Sequence, residues 1–177
     1  AHYLEHLLFK GTSKRSAMEI ASAIESVGGD INAFTSKEHT CYYAKVLAVD
    51  LPLAIDVLCD VVTDAQLKTE DIEAERGVIL EEIAMVDDDP SDLVHDQFAR
   101  TLFGDTSLGR PILGTAQTIL GISRRSIVNF YAKFYQPESL VIAIAGDVDH
   151  IRAVKLVEKA MNSSPNTLLS LPTRTVR

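Results

Sequence analysis

His2 and His6 stand four positions apart with a carboxylate between them, in the run His2-Tyr3-Leu4-Glu5-His6. On an α-helix each residue advances about 100°. The two imidazoles then lie about 40° apart on one face, one turn apart along the axis, and both can reach one metal ion. Glu5 falls about 60° to the other side of His2 and still faces the same cavity. Zinc suits such a set, because it accepts neutral imidazole and carboxylate, and a catalytic site leaves one position open for water. A metal lowers the pKa of bound water to about 7, and a carboxylate beside it can take the proton. The chemistry indicated is hydrolysis of a carbonyl compound such as a peptide bond. The bland alternative is a helix that opens with two solvated histidines. With 5 histidines in 177 residues, composition alone yields such a window in roughly one chain in a hundred.

A zinc site of this kind needs a third ligand from elsewhere. The run from Thr69 to Val86 reads as a long helix and carries Glu73, Glu75, Glu81 and Glu82. Glu75 and Glu82 are seven residues apart, nearly two whole turns, and share a face. Glu81 points about 100° away from Glu82 and reads as solvated or paired. Spacing alone leaves all four open as helix-surface charges.

The surrounding elements must bring these residues together. A short helix is expected over residues 2–9, broken by Gly11-Thr12-Ser13-Lys14-Arg15. Ser16 and Glu19 form a capping-box pattern before Ile20, Ala23, Ile24 and Val27 at helical spacing, and Gly28-Gly29 stops that helix. Ile31–Phe34 and Thr40–Leu47 read as two strands close enough for a hairpin. Asp50 and Pro52 open a helix with an apolar stripe at Leu53, Val57, Leu58, Val61 and Val62. The helix capped by Thr69 is expected to bury Ile72, Val78, Ile79 and Ile83, and to pack beside the histidine helix. Pro90 starts another helix carrying Leu93, Val94, Phe98 and Leu102, residues 104–118 read as a long loop, and Ser123 caps a helix with Ile127, Phe130 and Phe134. Leu140–Ala145 reads as a buried strand and Asp149 caps the last helix. From Ser163 the chain is polar and contains Pro, as in a linker. Helices outnumber strands without a βαβα rhythm, so the fold class is α+β, with helices packed on a mainly antiparallel sheet.

Length suits one domain with a real core. A net charge of -8 and a pI near 5.0 argue against nucleic-acid binding, which needs a basic surface. No apolar run approaches the ~20 residues that span a bilayer. The acidic run Asp87-Asp88-Asp89 has two readings, a calcium or magnesium site or a solvated helix end before Pro90. Cys41 and Cys59 form no CxxC and are too few for a disulfide framework, so they read as buried free thiols in a reducing compartment. Free thiols suit a reducing compartment, and the expected location is the cytoplasm.

Four stretches, in order, carry a family resemblance over most of residues 1–161. The opening Ala-His-Tyr-Leu-Glu-His-Leu-Leu-Phe-Lys-Gly-Thr resembles the inverted H-x-x-E-H motif of the pitrilysin family, the inverzincins, which includes insulin-degrading enzyme and the mitochondrial processing peptidase β subunit. Residues 28–43 resemble the family's substrate-strand region. Glu75-Arg-Gly-Val-Ile-Leu-Glu-Glu-Ile resembles its second zinc segment, and residues 134–148 its late strand.

The resemblance implies a zinc metalloendopeptidase. It makes Glu82 the third ligand beside His2 and His6, since the family's ligand lies about 76 residues after the second histidine. It makes Glu75 a group that orients a ligand or helps in catalysis, with Glu5 as the base and Arg76 as a structural ion-pair partner. Asn32 and Ala33 match substrate-contacting positions on an exposed strand, where an extended peptide adds by backbone pairing. The competing reading, which substrate contact outweighs, is that Asn32 merely stabilises the strand's entry. His39, His95 and His150 match no ligand and read as structural or surface residues.

Residues 1–162 are expected to form the zinc-binding half-domain, and 163–177 a linker or the start of a connection to a second half. The resemblance implies a strand before the motif that these residues do not include; the sheet edge left without it is expected to be open to pairing with another copy, as in a possible homodimer. The expected partners are a peptide or unfolded protein substrate and a second homologous half, in the same chain or another subunit. The competing reading is a non-catalytic structural or peptide-binding subunit. The intact Glu5 favours the enzyme, since binding alone needs no base beside the metal.

Overall fold

The computed structural model describes residues 1–162; the linker expected from Ser163 lies outside them. The chain opens with α1 (His2–Leu8), whose Tyr3, Leu4, Leu7 and Leu8 are buried at helical spacing. Helix α2 (Ala17–Glu25) starts at the expected capping box, with Ser16 and Glu19 each capping the other's backbone N–H. It stops where Gly28 takes a φ of +71 and the Gly29 N–H returns to the Ile24 carbonyl at 3.0 Å. Strands β1 (Asp30–Thr35) and β2 (Thr40–Lys45) pair antiparallel with Asn32 opposite Tyr43. Helix α3 (Leu51–Thr63) follows, with Pro in its first turn. Then come α4 (Thr69–Asp88), α5 (Pro90–Phe103), α6 (Ala116–Gly121), α7 (Arg124–Phe134) and α8 (His150–Asn162). The class is α+β, and the sheet among the described residues is the two-stranded β1–β2 hairpin.

The core lies where α1, α2, α3 and α4 meet the hairpin. Leu8, Ile24, Val57, Val61, Ile72 and Ile79 are fully buried there. Helix α1 packs against both α4 and β1, so the histidine helix sits between the long helix and the sheet. Two polar ties fix this arrangement. The Tyr3 hydroxyl donates to the Ile72 carbonyl on α4. On the other side, Thr12 Oγ1 donates to the buried Asp60 of α3 at 2.9 Å, and Arg15 bonds the same carboxylate at 2.6 Å. A buried carboxylate needs such partners, and here they anchor the loop after α1 to α3.

Several expectations are corrected. Leu140–Ala145 is not a strand. Leu140 has extended dihedrals, but no strand among the described residues supplies a ladder, and Val141 is 94% exposed. Extended propensity becomes a strand only when a partner takes the backbone groups. A cavity of about 970 Å³ separates this segment from β2, while Leu140 and Ile144 pack on Ile55, Cys59 and Met161.

Residues 104–118 are not all loop, because α6 begins at Ala116. Thr115 and Thr118 cap each other's backbone N–H, so a threonine does the work of the usual Glu or Gln. Thr69 is the first residue of α4 rather than its cap; Lys68 holds the cap position without a side-chain bond. On α4, Ile72 and Ile79 are buried but Val78 is exposed. No residue of α5 is buried, and its Val94, Phe98 and Leu102 stand in solvent, because α5 packs chiefly along one side of α4. Phe134 of α7 is likewise exposed.

Asp89 accepts from the Ser91 N–H at 2.8 Å, and Asp87 and Asp88 are exposed, so the acidic run is a helix junction. Cys59 is buried and Cys41 half-buried, both as free thiols. No helix among the described residues is long and apolar enough to cross a membrane.

Candidate metal centre

Helix α1 places His2 and His6 one turn apart, and α4, running alongside, supplies Glu82. The two Nε2 atoms face each other at 3.2 Å, with ring centroids 4.5 Å apart. Glu82 Oε2 lies 3.8 Å from His2 Nε2, and its Oε1 lies 3.8 Å from His6 Nε2. One donor atom from each residue lies within 4.8 Å of the others, and these three form the one such donor group among the described residues. Tetrahedral zinc with Zn–N near 2.0–2.1 Å separates its donors by roughly 3.3 Å. The two imidazoles are already at that spacing, and Glu82 needs to move only slightly. Two Nε2 lone pairs face to face are a poor hydrogen bond but a good pair of ligands.

The electrostatics agree. Burial, and then the neighbouring His6, hold the His2 imidazole below its ordinary pKa, with Glu82 working in the opposite direction. His2 is therefore neutral at pH 7, the form that ligates. Glu82 Oε2 is buried with no hydrogen-bond partner. An orphaned buried carboxylate oxygen is costly, and a cation at this place satisfies it. The residues present fit zinc.

Behind the histidines, Glu75 is buried on α4, two turns before Glu82. Its Oε1 lies 2.7 Å from His6 Nδ1 and its Oε2 lies 2.5 Å from Lys10 Nζ. Burial alone raises the Glu75 carboxyl, but the bonds from Lys10 and His6 outweigh it and hold the group below its usual range. It is an anion that can only accept, so His6 Nδ1 donates to it and Nε2 keeps its lone pair for the cluster. Glu81 is exposed and off this face. Glu73 pairs with Arg76, which also donates to the Ile119 and Ile122 carbonyls and ties α4 to α6.

Glu5 is buried on α1, and its Oε2 accepts a hydrogen bond from Thr35 Oγ1 at the end of β1. Thr35 is in turn 3.1 Å from Thr40 Oγ1 across the hairpin. Asn32 and Ala33 lie earlier on β1. Exposure alternates along the strand, so Ala33 shares the half-buried face of Thr35 and Asn32 takes the exposed one. Asn32 Oδ1 accepts from the Ala33 N–H at 2.8 Å. His39 bonds Ser36 Oγ at 2.9 Å in the hairpin turn, and His95 and His150 are exposed.

Sequence reasoning missed Lys10 and Thr35. Lys10 was findable, because it lies one further turn beyond His6 in the same run. Thr35 was not, because its contact with Glu5 depends on how the hairpin packs on α1.

Residues 1–116 match the family described as insulinase (peptidase family M16), and residues 121–176 match the one described as the peptidase M16 inactive domain. An uncharacterized zinc protease of Streptomyces coelicolor is 60% identical over 163 residues, which are 92% of this chain and 36% of that protein. The bovine mitochondrial-processing peptidase subunit beta is 40% identical over 167 residues, 94% of this chain and 34% of that one. The crystal structure of a protease from Helicobacter pylori superposes with a TM-score of 0.88 at 26% identity, covering 100% of this chain and 42% of the other. The chain thus spans little more than a third of the length of these curated relatives. It belongs to the insulinase family of peptidases, family M16.

Proposed function

We propose that this chain carries the metal-binding and general-base groups of a zinc endopeptidase, with His2, His6 and Glu82 as ligands and Glu5 as base. One observation carries the reading: two imidazole nitrogens and a carboxylate converge within 4.8 Å, and the helix that bears both histidines also bears the buried Glu5. Zinc bound there supplies a Lewis acid and a water of lowered pKa. Glu5 takes a proton from water in the cavity and returns it to the leaving amine. Thr35 occupies one Glu5 oxygen and leaves the other for that proton. Glu75 keeps His6 in the tautomer that ligates through Nε2.

The substrate we propose is an extended peptide lying along the free side of β1, near Asn32 and Ala33, paired through its backbone. A peptide adding there meets the Ala33 N–H already held by Asn32, so it either displaces the Asn32 amide or pairs around it. The second half of the binding chamber comes from a homologous domain in the same polypeptide or a partner. The names of the relatives, zinc protease and processing peptidase subunit, support the same reading.

The test is Glu5→Gln in the full-length protein. The amide keeps the side chain's size but takes no proton. Cleavage of an internally quenched peptide should fall by about 10² to 10⁴, while zinc content stays that of the wild type. His6→Ala should lose zinc and cleavage together. Undiminished cleavage by Glu5→Gln would refute the mechanism.

A further inference from the structure

We infer that Lys10 is a positioning residue of the metal centre, acting through Glu75 to hold His6 as an Nε2 ligand. The inference rests on the zinc reading above and goes beyond its ligand set. Glu75 is buried, and each of its oxygens has one partner: His6 Nδ1 at 2.7 Å and Lys10 Nζ at 2.5 Å. The last torsion of a glutamate side chain is broad and weakly restrained. A single partner leaves the carboxylate free to rotate about it; two partners on different oxygens fix its plane. Oε1 then stays in line with the His6 ring, and the imidazole is oriented with Nε2 toward His2 Nε2 at 3.2 Å.

Charge points the same way. The carboxylates of Glu75 and Glu82 both lie against His6, and Lys10 pairs with Glu75. Without it, Oε2 of a buried carboxylate is left without its donor, a costly arrangement. The group then gains by swinging its oxygens toward other donors, and His6 loses its fixed acceptor. The Lys10 side chain is 38% exposed, so nothing steric forces it inward; a surface lysine at this place is free to point to solvent. It bends instead onto Glu75, one turn past His6 along the same run of chain.

The experiment measures zinc affinity of the full-length protein by competition with a chromogenic chelator, together with the His6 tautomer by long-range proton–nitrogen NMR of the zinc-loaded protein. Lys10→Met should weaken zinc about 10- to 100-fold, the range typical for loss of a group supporting a ligand. Its spectrum should lose the single Nδ1–H pattern of His6. Lys10→Arg should recover affinity to within about threefold, because a guanidinium also donates to a carboxylate. Lys14→Met removes a lysine that pairs instead with Asp60 at 3.6 Å and should leave both readouts unchanged. Wild-type affinity and a wild-type tautomer pattern in Lys10→Met overturn the inference while the zinc reading stands. Equal weakening in Lys10→Met and Lys14→Met overturns it too, as a general loss of stability. A wild-type protein that takes up no zinc overturns both readings together.

Discussion

Two neighbouring glutamates on α4 have opposite surroundings. Glu82 is half-buried, reaches both histidines at 3.8 Å and has an oxygen with no hydrogen-bond partner. Glu81 is exposed on another face of the same helix. Glu82→Gln replaces a charged donor by a neutral, weaker one and should weaken zinc binding by more than about 100-fold, beyond the range for loss of a group one step removed from the metal. Glu81→Gln should change it by less than about twofold, as for most surface charges. The measurement is metal content after dialysis against a graded chelator, and equal losses would mean that the third ligand has been misidentified. At this scale the sequence was legible where contacts are local. The His2–Glu5–His6 spacing was readable because helix geometry fixes it within one turn. The choice among Glu73, Glu75, Glu81 and Glu82 was not readable from spacing, because it depends on the azimuth at which α4 meets α1. The Tyr3 bond to Ile72 and the Arg76 bonds to α6 set that azimuth.

At the scale of elements, helix ends and the hairpin were legible because their signals are short-range: the Ser16–Glu19 capping box, Gly28-Gly29 and the β-branched runs. The stretch 140–145 was misread because its strand propensity depends on a neighbour that local sequence does not contain. Helix α5 begins at Pro90 as expected, but its apolar residues stand in solvent, because an apolar periodicity says which face seeks burial and not whether anything covers it. Glycines separate packing from propensity most cleanly. A Cβ at Gly29 would meet Ile24 Cγ2 and Val46 Cγ1 at 2.8 Å and the Lys45 carbonyl oxygen at 2.9 Å. That carbonyl belongs to the end of β2 and cannot move aside cheaply, so Gly29→Ala should cost about 1–3 kcal/mol, the range of overpacked cores. A Cβ at Gly77, inside α4, meets nothing within 4 Å. Gly77→Ala should therefore stabilise by about 0.5–1 kcal/mol through helix propensity. Urea unfolding midpoints read both, and a shift in the same direction for the two would contradict the packing described for the α2–β2 junction.

For the molecule as a whole, the metal centre faces outward. The side chains of His2, His6 and Glu82 are 15%, 20% and 35% exposed, and no described element covers them from the opposite side. If the proposed reading holds, a peptide approaching this face meets no described element that presses it against the histidines and Glu82. The exposed Val94, Phe98 and Leu102 of α5 form a further apolar surface of the kind that partners cover. We expect the second homologous half to supply the clamp. Holding reactants in a productive orientation can be worth roughly 7–11 kcal/mol in favourable cases, which is enough to decide whether cleavage is measurable. The 177-residue chain by itself should therefore bind close to one zinc yet cleave a quenched peptide no faster than its chelator-treated control. Restoring the second half, in the same polypeptide or as a separate subunit, should bring cleavage back without changing zinc stoichiometry. Adding the second half with its own site residues intact to Glu5→Gln chain should restore nothing, because the base lies on α1. Robust cleavage by the lone wild-type chain would remove the need for a second half while leaving the roles of His2, His6, Glu82 and Glu5 in place. Full zinc loading of the reassembled enzyme without cleavage would instead favour the non-catalytic, peptide-binding alternative.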